Sequence, residues 1–172
     1  MENWIITGTS RGLGAALARG ALRADRRLVC LARSTNPALI DAAAQARCQL
    51  DARTIDLADL DATARLIDEI LAALPRDASR WVLVNNAGMV DPVARNQALD
   101  AATLAASVAV NLTAPMLITS HFLAATAGLA TDRRVLHISS GAGRNPMAGW
   151  SVYCAVKAGL DMHARTVKLD NA

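Results

Sequence analysis

The stretch Trp4-Ile5-Ile6-Thr7-Gly8-Thr9-Ser10-Arg11-Gly12-Leu13-Gly14 decides the fold. Its opening apolar run, rich in β-branched residues, reads as a buried strand. A glycine-rich turn follows, and then an Ala- and Leu-rich segment of helical period from about Leu13 to Leu22. Glycines at 8, 12 and 14 let the backbone turn tightly and come close to a pyrophosphate, whose charge then sits on the N-terminus of the next helix. The spacing Gly-x3-Gly-x-Gly is a variant of the dinucleotide fingerprint. It nominates Gly8, Ser10, Arg11, Gly12, Leu13 and Gly14 as phosphate-loop positions.

Outward from this turn, short strand-like runs alternate with longer Ala-rich segments. Leu28–Leu31, Gln49–Ile55, Trp81–Val84 and Val135–Ile138 read as four further strands. The intervening helices are expected at Pro37–Ala46, Leu60–Leu74 and Asp100–Ala127, the last interrupted at Pro115, with a final helix from near Ser151 to the chain end. Along Leu60–Leu74, Leu60, Ala64, Ile67 and Leu71 share one face, and Pro75 stands just past the end, where it cannot continue a helix. Alternation at this spacing predicts βαβ units and an α/β fold: a doubly wound, Rossmann-type parallel sheet.

The 172 residues fit one domain, 1–172, large enough to bury a core without a disulfide or metal staple. Aromatic residues make up only 3%, so the core must be built from Ala, Leu, Val and Ile. The net charge is +3, yet the Lys and Arg residues are scattered, the longest runs being Arg26-Arg27 and Arg133-Arg134, with no aromatic interleaving. That pattern argues against nucleic acid and for a solvated surface with a local anion site. Cys30, Cys48 and Cys154 lack CxxC spacing and predict reduced thiols in a cytoplasm, and the three histidines lack metal-ligand spacing, so no metal is expected. No apolar run is read as approaching the roughly 18–20 residues that span a bilayer, nor does the N-terminus have the shape of a signal peptide.

The end of the second strand bears on the cofactor. An acid there would bond the ribose 2′-hydroxyl of NAD, whereas an Arg accommodates a 2′-phosphate. Here the strand ends Leu31-Ala32-Arg33-Ser34, and Arg11 in the glycine turn is a second cation for the same group. The expected cofactor is therefore NADP(H).

Tyr153 is the only tyrosine, and Lys157 lies four residues on, which puts both on one face of a helix. A free phenol ionises near pH 10, and bringing one toward neutrality takes roughly 4 kcal/mol. An ammonium about 5 Å away at an effective dielectric near 20 supplies on the order of 3 kcal/mol. Such a phenol can give a proton to a carbonyl oxygen, or take one in reverse.

Thr7–Gly14, Asp56-Leu57, Asn85-Asn86-Ala87-Gly88, Asn111, Ser139-Ser140 and Tyr153-x3-Lys157 stand in an order that resembles the short-chain dehydrogenase/reductase family across essentially the whole chain. The stretch Gly149–Lys157 is similar to its sepiapterin reductase and benzil reductase branch, which implies dicarbonyl-like substrates. The resemblance implies that Asp56 bonds the adenine amino group beside Leu57, and that Asn86, Ala87 and Gly88 line the cofactor. It further implies that Ser140 rather than Ser139 orients the substrate carbonyl and that Lys157 also holds the nicotinamide ribose. A small-molecule carbonyl substrate and a homo-oligomer, dimer or tetramer, are implied in the same way.

Asn111 carries a reading of its own. Pro115 has no N–H, so the Asn111 carbonyl loses its helical partner and is free to hold a water. The resemblance implies that this water relays protons through Lys157 to Tyr153. Members of the family continue past the helix that bears the tyrosine, by on the order of 70 residues from typical element lengths. The expectation is thus a family fold truncated after the helix following the fifth strand. Three functions fit: an NADPH-dependent carbonyl reductase, an NADP-binding but catalytically impaired fragment, and an oligomer-assembly module.

Overall fold

Five parallel strands carry the chain in the order β3-β2-β1-β4-β5 in a computed structural model that describes residues 1–171. The strands are β1 (Glu2–Thr7), β2 (Arg26–Ala32), β3 (Gln49–Thr54), β4 (Arg80–Asn85) and β5 (Asp132–His137). The helices are α1 (Gly12–Ala21), α2 (Pro37–Gln45), α3 (Leu60–Ala73), α4 (Ala101–Val108), α5 (Ala114–Ala125) and α6 (Ser151–Asp170). The order reverses between β1 and β4, and there the connections leave for opposite faces, opening a crevice at the carboxyl edge of the sheet.

Local chemistry sets the helix starts. Asn36, Asp59 and Asp100 each accept a backbone N–H three residues on, and Pro37 opens α2 with its fixed φ. One face of the sheet packs Ile5, Val29, Leu31 and Leu83 under α3 and α5, with Trp81 edge-on to Phe122 at 6.3 Å between ring centres. The other face packs Ile6, Leu28, Cys30 and Val84 under α1 and α2. At the amino edge, Glu2 bridges Arg26 and Arg80, and Arg80 bridges Asp132, so one ionic ladder crosses four of the five strands.

Two expectations need correction. The segment Ala101–Ala125 is long and apolar enough to cross a membrane by composition, with mean hydropathy 1.6, so an apolar run of spanning length does exist. In the fold one face of it joins the core: Ala114, Ile118 and Phe122 are buried against the sheet and α3, the buried polar side chains of Ser107, Asn111 and Thr119 interrupt its apolar surface, and most of the rest of the helix is partly or fully exposed. Nor does that helix simply break at Pro115. It widens to a π-helical turn over Ala109–Thr113, and the Ala114 N–H reaches back five residues to the Ala109 carbonyl.

Candidate active site

The glycine turn leaves β1 with Gly8 at φ +75° and Gly12 at φ +59°, a left-handed backbone that side chains resist. Gly14 is required for space. A Cβ there would lie 2.1 Å from the Gly8 carbonyl oxygen and 2.3 Å from Asn86 Nδ2. Helix α1 starts at Arg11 with no side-chain oxygen capping its first N–H groups, which suits an anion at this end.

The turn is braced from β4. Thr7 Oγ1 accepts the N–H groups of Asn86 and Ala87, each at 3.0 Å, while Asn86 Nδ2 donates to the carbonyls of Thr7 and Gly8 at 3.0 and 3.3 Å. Sequence reading singled out Asn86 and Ala87 but missed Thr7 as their bracket.

A cleft of about 660 Å³ opens above this bracket. Gly8, Ser10, Arg11, Gly12, Leu13 and Gly14 line its floor. Arg33 at the end of β2, and Asp56 with Leu57 after β3, line one end; Asn86, Ala87 and Gly88 line the β4 side. Its volume suits a cofactor-sized ligand. Arg11 and Arg33 are exposed and form no ion pair among the described residues, while Asp56 Oδ1 accepts the Ala58 N–H and fixes its own turn. The donor set therefore fits a dinucleotide: an uncapped helix start, a turn with no room for side chains, and two free guanidiniums.

Two of the remaining four site residues, Asn111 and Lys157, meet beside Gly88. A Cβ at that position would lie 2.9 Å from Asn111 Oδ1 and 3.7 Å from Lys157 Nζ, so the end of β4, the π-helical turn and α6 meet there. Asn111 is fully buried and clamps Met89, accepting its N–H at 3.1 Å and donating to its carbonyl at 2.8 Å. Its amide also donates to the Ser107 carbonyl at 3.0 Å and Ser107 Oγ at 3.1 Å, a buried partner not foreseen from sequence. Lys157 Nζ is buried and donates to the Ile138 carbonyl at 2.9 Å; burial pushes its ammonium below the ordinary value, with Asp161 pulling the other way.

Half-buried Tyr153 lies within reach of that ammonium, 5.6 Å from the centre of its ring. Ser140 is half-buried and Ser139 exposed; Ser140 Oγ accepts the Ala142 N–H at 3.2 Å, holding the turn after β5. Behind the site, the His137 and His163 rings pack edge to face at 5.5 Å. Burial, then the charges of His163 and Lys157, push His137 down to about 4 against Asp161.

Comparison with known proteins agrees with this geometry. The chain is 37% identical over 168 residues to a benzil reductase ((S)-benzoin forming) of Bacillus cereus, covering 97% of this chain and 68% of that protein. It is 32% identical over 171 residues to the sepiapterin reductase of Rattus norvegicus, covering 92% of this chain and 64% of that protein. Among solved structures, a metagenomic short-chain oxidoreductase in complex with NADP superposes with a TM-score of 0.85 at 34% identity, covering 96% of this chain and 73% of that one. The chain thus spans about two thirds of the length of the curated relatives it matches. The short chain dehydrogenase family model matches residues 2–172, and with motifs, sheet order and cleft in agreement the chain belongs to that family.

Proposed function

We propose that the protein is an NADPH-dependent reductase of small-molecule ketones or dicarbonyls, with Tyr153 as proton donor. The observation that supports this most is the meeting of Lys157, Asn111 and Gly88 at the edge of the dinucleotide-sized cleft, with the lone tyrosine beside the lysine. NADPH bound there supplies a hydride for the carbonyl carbon. Arg33 and Arg11 hold the 2′-phosphate, the uncapped start of α1 holds the pyrophosphate, and Asp56 with Leu57 receives the adenine. Asn86, Ala87 and Gly88 form the wall on the β4 side.

On the protein's side, the Tyr153 phenol gives its proton to the carbonyl oxygen, and the Ser140 hydroxyl orients that oxygen and steadies its developing charge. Lys157 holds the ribose hydroxyls. The clamp on Met89 holds Asn111 in place, so that its carbonyl can keep a water for reprotonation through Lys157. The relatives named benzil reductase and sepiapterin reductase favour a dicarbonyl or conjugated carbonyl as substrate. The exposed sides of α5 and α6, where Met116 is 39% and Met162 57% accessible, suit packing against a second copy.

The test is NADPH oxidation with benzil as probe, alongside NADPH titration by fluorescence. Tyr153→Phe is expected to lose at least about 100-fold in kcat, with cofactor affinity within about threefold of wild type. Equal turnover by the two proteins overturns the reading.

A further inference from the structure

Helix α6 begins without a side-chain cap. Helices α2, α3 and α4 start on Asn36, Asp59 and Asp100, whose side chains cap the first turn. The corresponding position of α6 is Trp150, which offers no capping oxygen, and the adjacent Ser151 turns its hydroxyl to Asn96 at 3.4 Å. A site that gives up a cap carries a competing demand. Here the demand is visible: the indole packs edge to face on the Tyr153 ring, 5.5 Å between centres and 85° between planes, within the roughly 4.5–7 Å range of favourable aromatic pairs.

The backbone under the indole is pinned on both sides. Gly149 takes φ +79° and its carbonyl accepts the Ala94 N–H at 3.0 Å, so the loop before α6 is tied to the loop after β4. Ser151 makes the second tie through Asn96. The chain on either side of Trp150 is thus tied down, its half-buried indole rests edge-on against the phenol ring, and Lys157 Nζ lies 5.6 Å from the centre of that ring. Neither Trp150 nor Tyr153 lines the dinucleotide cleft.

We infer that Trp150 is a positioning residue: its indole sets the tilt of the Tyr153 ring relative to Lys157, and so where the phenolic proton is delivered. This rests on Tyr153 being the proton donor. Misplacing a reacting group by about 1 Å costs on the order of 100-fold in rate, so the loss falls on turnover rather than on binding.

The full chain with Trp150→Ala is expected to lose about ten- to 100-fold in kcat. Its KM for benzil and its affinity for NADPH should stay within about threefold of wild type, and Trp150→Phe should recover most of the loss, since a phenyl ring keeps the edge-to-face contact. A second readout needs no turnover. The chain has one tyrosine, so ring-labelled tyrosine gives one set of NMR signals, displaced by the indole ring current in wild type and relaxed in Trp150→Ala. Unchanged ring signals, an unchanged kcat, or a raised KM at constant kcat each overturn the proposal. Those outcomes are separable from failure of the reductase reading, which is signalled by an active Tyr153→Phe. Should Trp150→Ala not fold, Trp150→Leu and Trp150→Phe decide: equal kcat in the two overturns the role of the ring, and a higher kcat in Trp150→Phe supports it.

Discussion

Arg33 ends β2 at the lip of the cleft, exposed and without an ionic partner among the described residues, and Arg11 stands across the glycine turn in the same state. Each charge-assisted bond to a 2′-phosphate is worth roughly 1.5–3 kcal/mol. Arg33→Asp should therefore lower the preference for NADPH over NADH by about ten- to 100-fold, read as the ratio of the two dissociation constants, while the fold and the NADH affinity persist. Selectivity that does not change removes Arg33 from the assignment. These arginines were legible because charge type and strand ends suffice to place them. Thr7 was not, since its bracket joins residues 79 and 80 positions apart and leaves no local mark. Trp150 escaped notice for a similar reason: its only signal was an absent cap.

At the scale of elements, β1, β2 and β4 centre on the apolar runs read from the sequence, whereas β3 (QLDART) and β5 (DRRVLH) are rich in charged residues and stop one residue short of Ile55 and Ile138. β1 begins at Glu2 rather than Trp4 because Glu2 is held by Arg26 and Arg80, neighbours supplied by other strands. The π-helical turn shows what a single proline announces and what it conceals. Pro115 marked the irregularity, whereas the clamp of Asn111 on Met89 depends on a loop 22 residues away. Asn111→Ala strips the Met89 N–H and carbonyl of partners at about 1–3 kcal/mol for each group left unpaired. The expected result is a melting temperature about 4–24 °C lower, measured by calorimetry, in a protein that still folds. A melting temperature within a degree or so of wild type would mean that water replaces the amide without cost.

Across the whole molecule, proton balance sets the acid limit. His137 is held down to about 4 by burial and the nearby His163 and Lys157, against Asp161, and burial lowers His163 as well. An unfolded histidine takes its proton near pH 6.5, so between that value and about 4 the unfolded chain binds more protons than the folded one. Stability is full above about pH 6.5 and declines as pH falls through that window. Asp132, held below its ordinary value first by Arg134 and then by Arg80, adds to the loss only at lower pH. Thermal melts at pH 7.5 and 5 should differ by about 3–6 °C, and His137→Asn should flatten the difference; an unaltered slope in that variant refutes the assignment. The parallel order of the sheet was readable from element alternation, but this histidine pair was not, because it is assembled from β5 and α6. One earlier feature reaches further. Asn86 is wedged beneath the glycine turn and Gly14 has no clearance, so protein contacts alone tie the turn to the end of β4. Two guanidiniums stand at the entrance, so the rate at which an anionic nucleotide is captured is expected to fall as ionic strength rises.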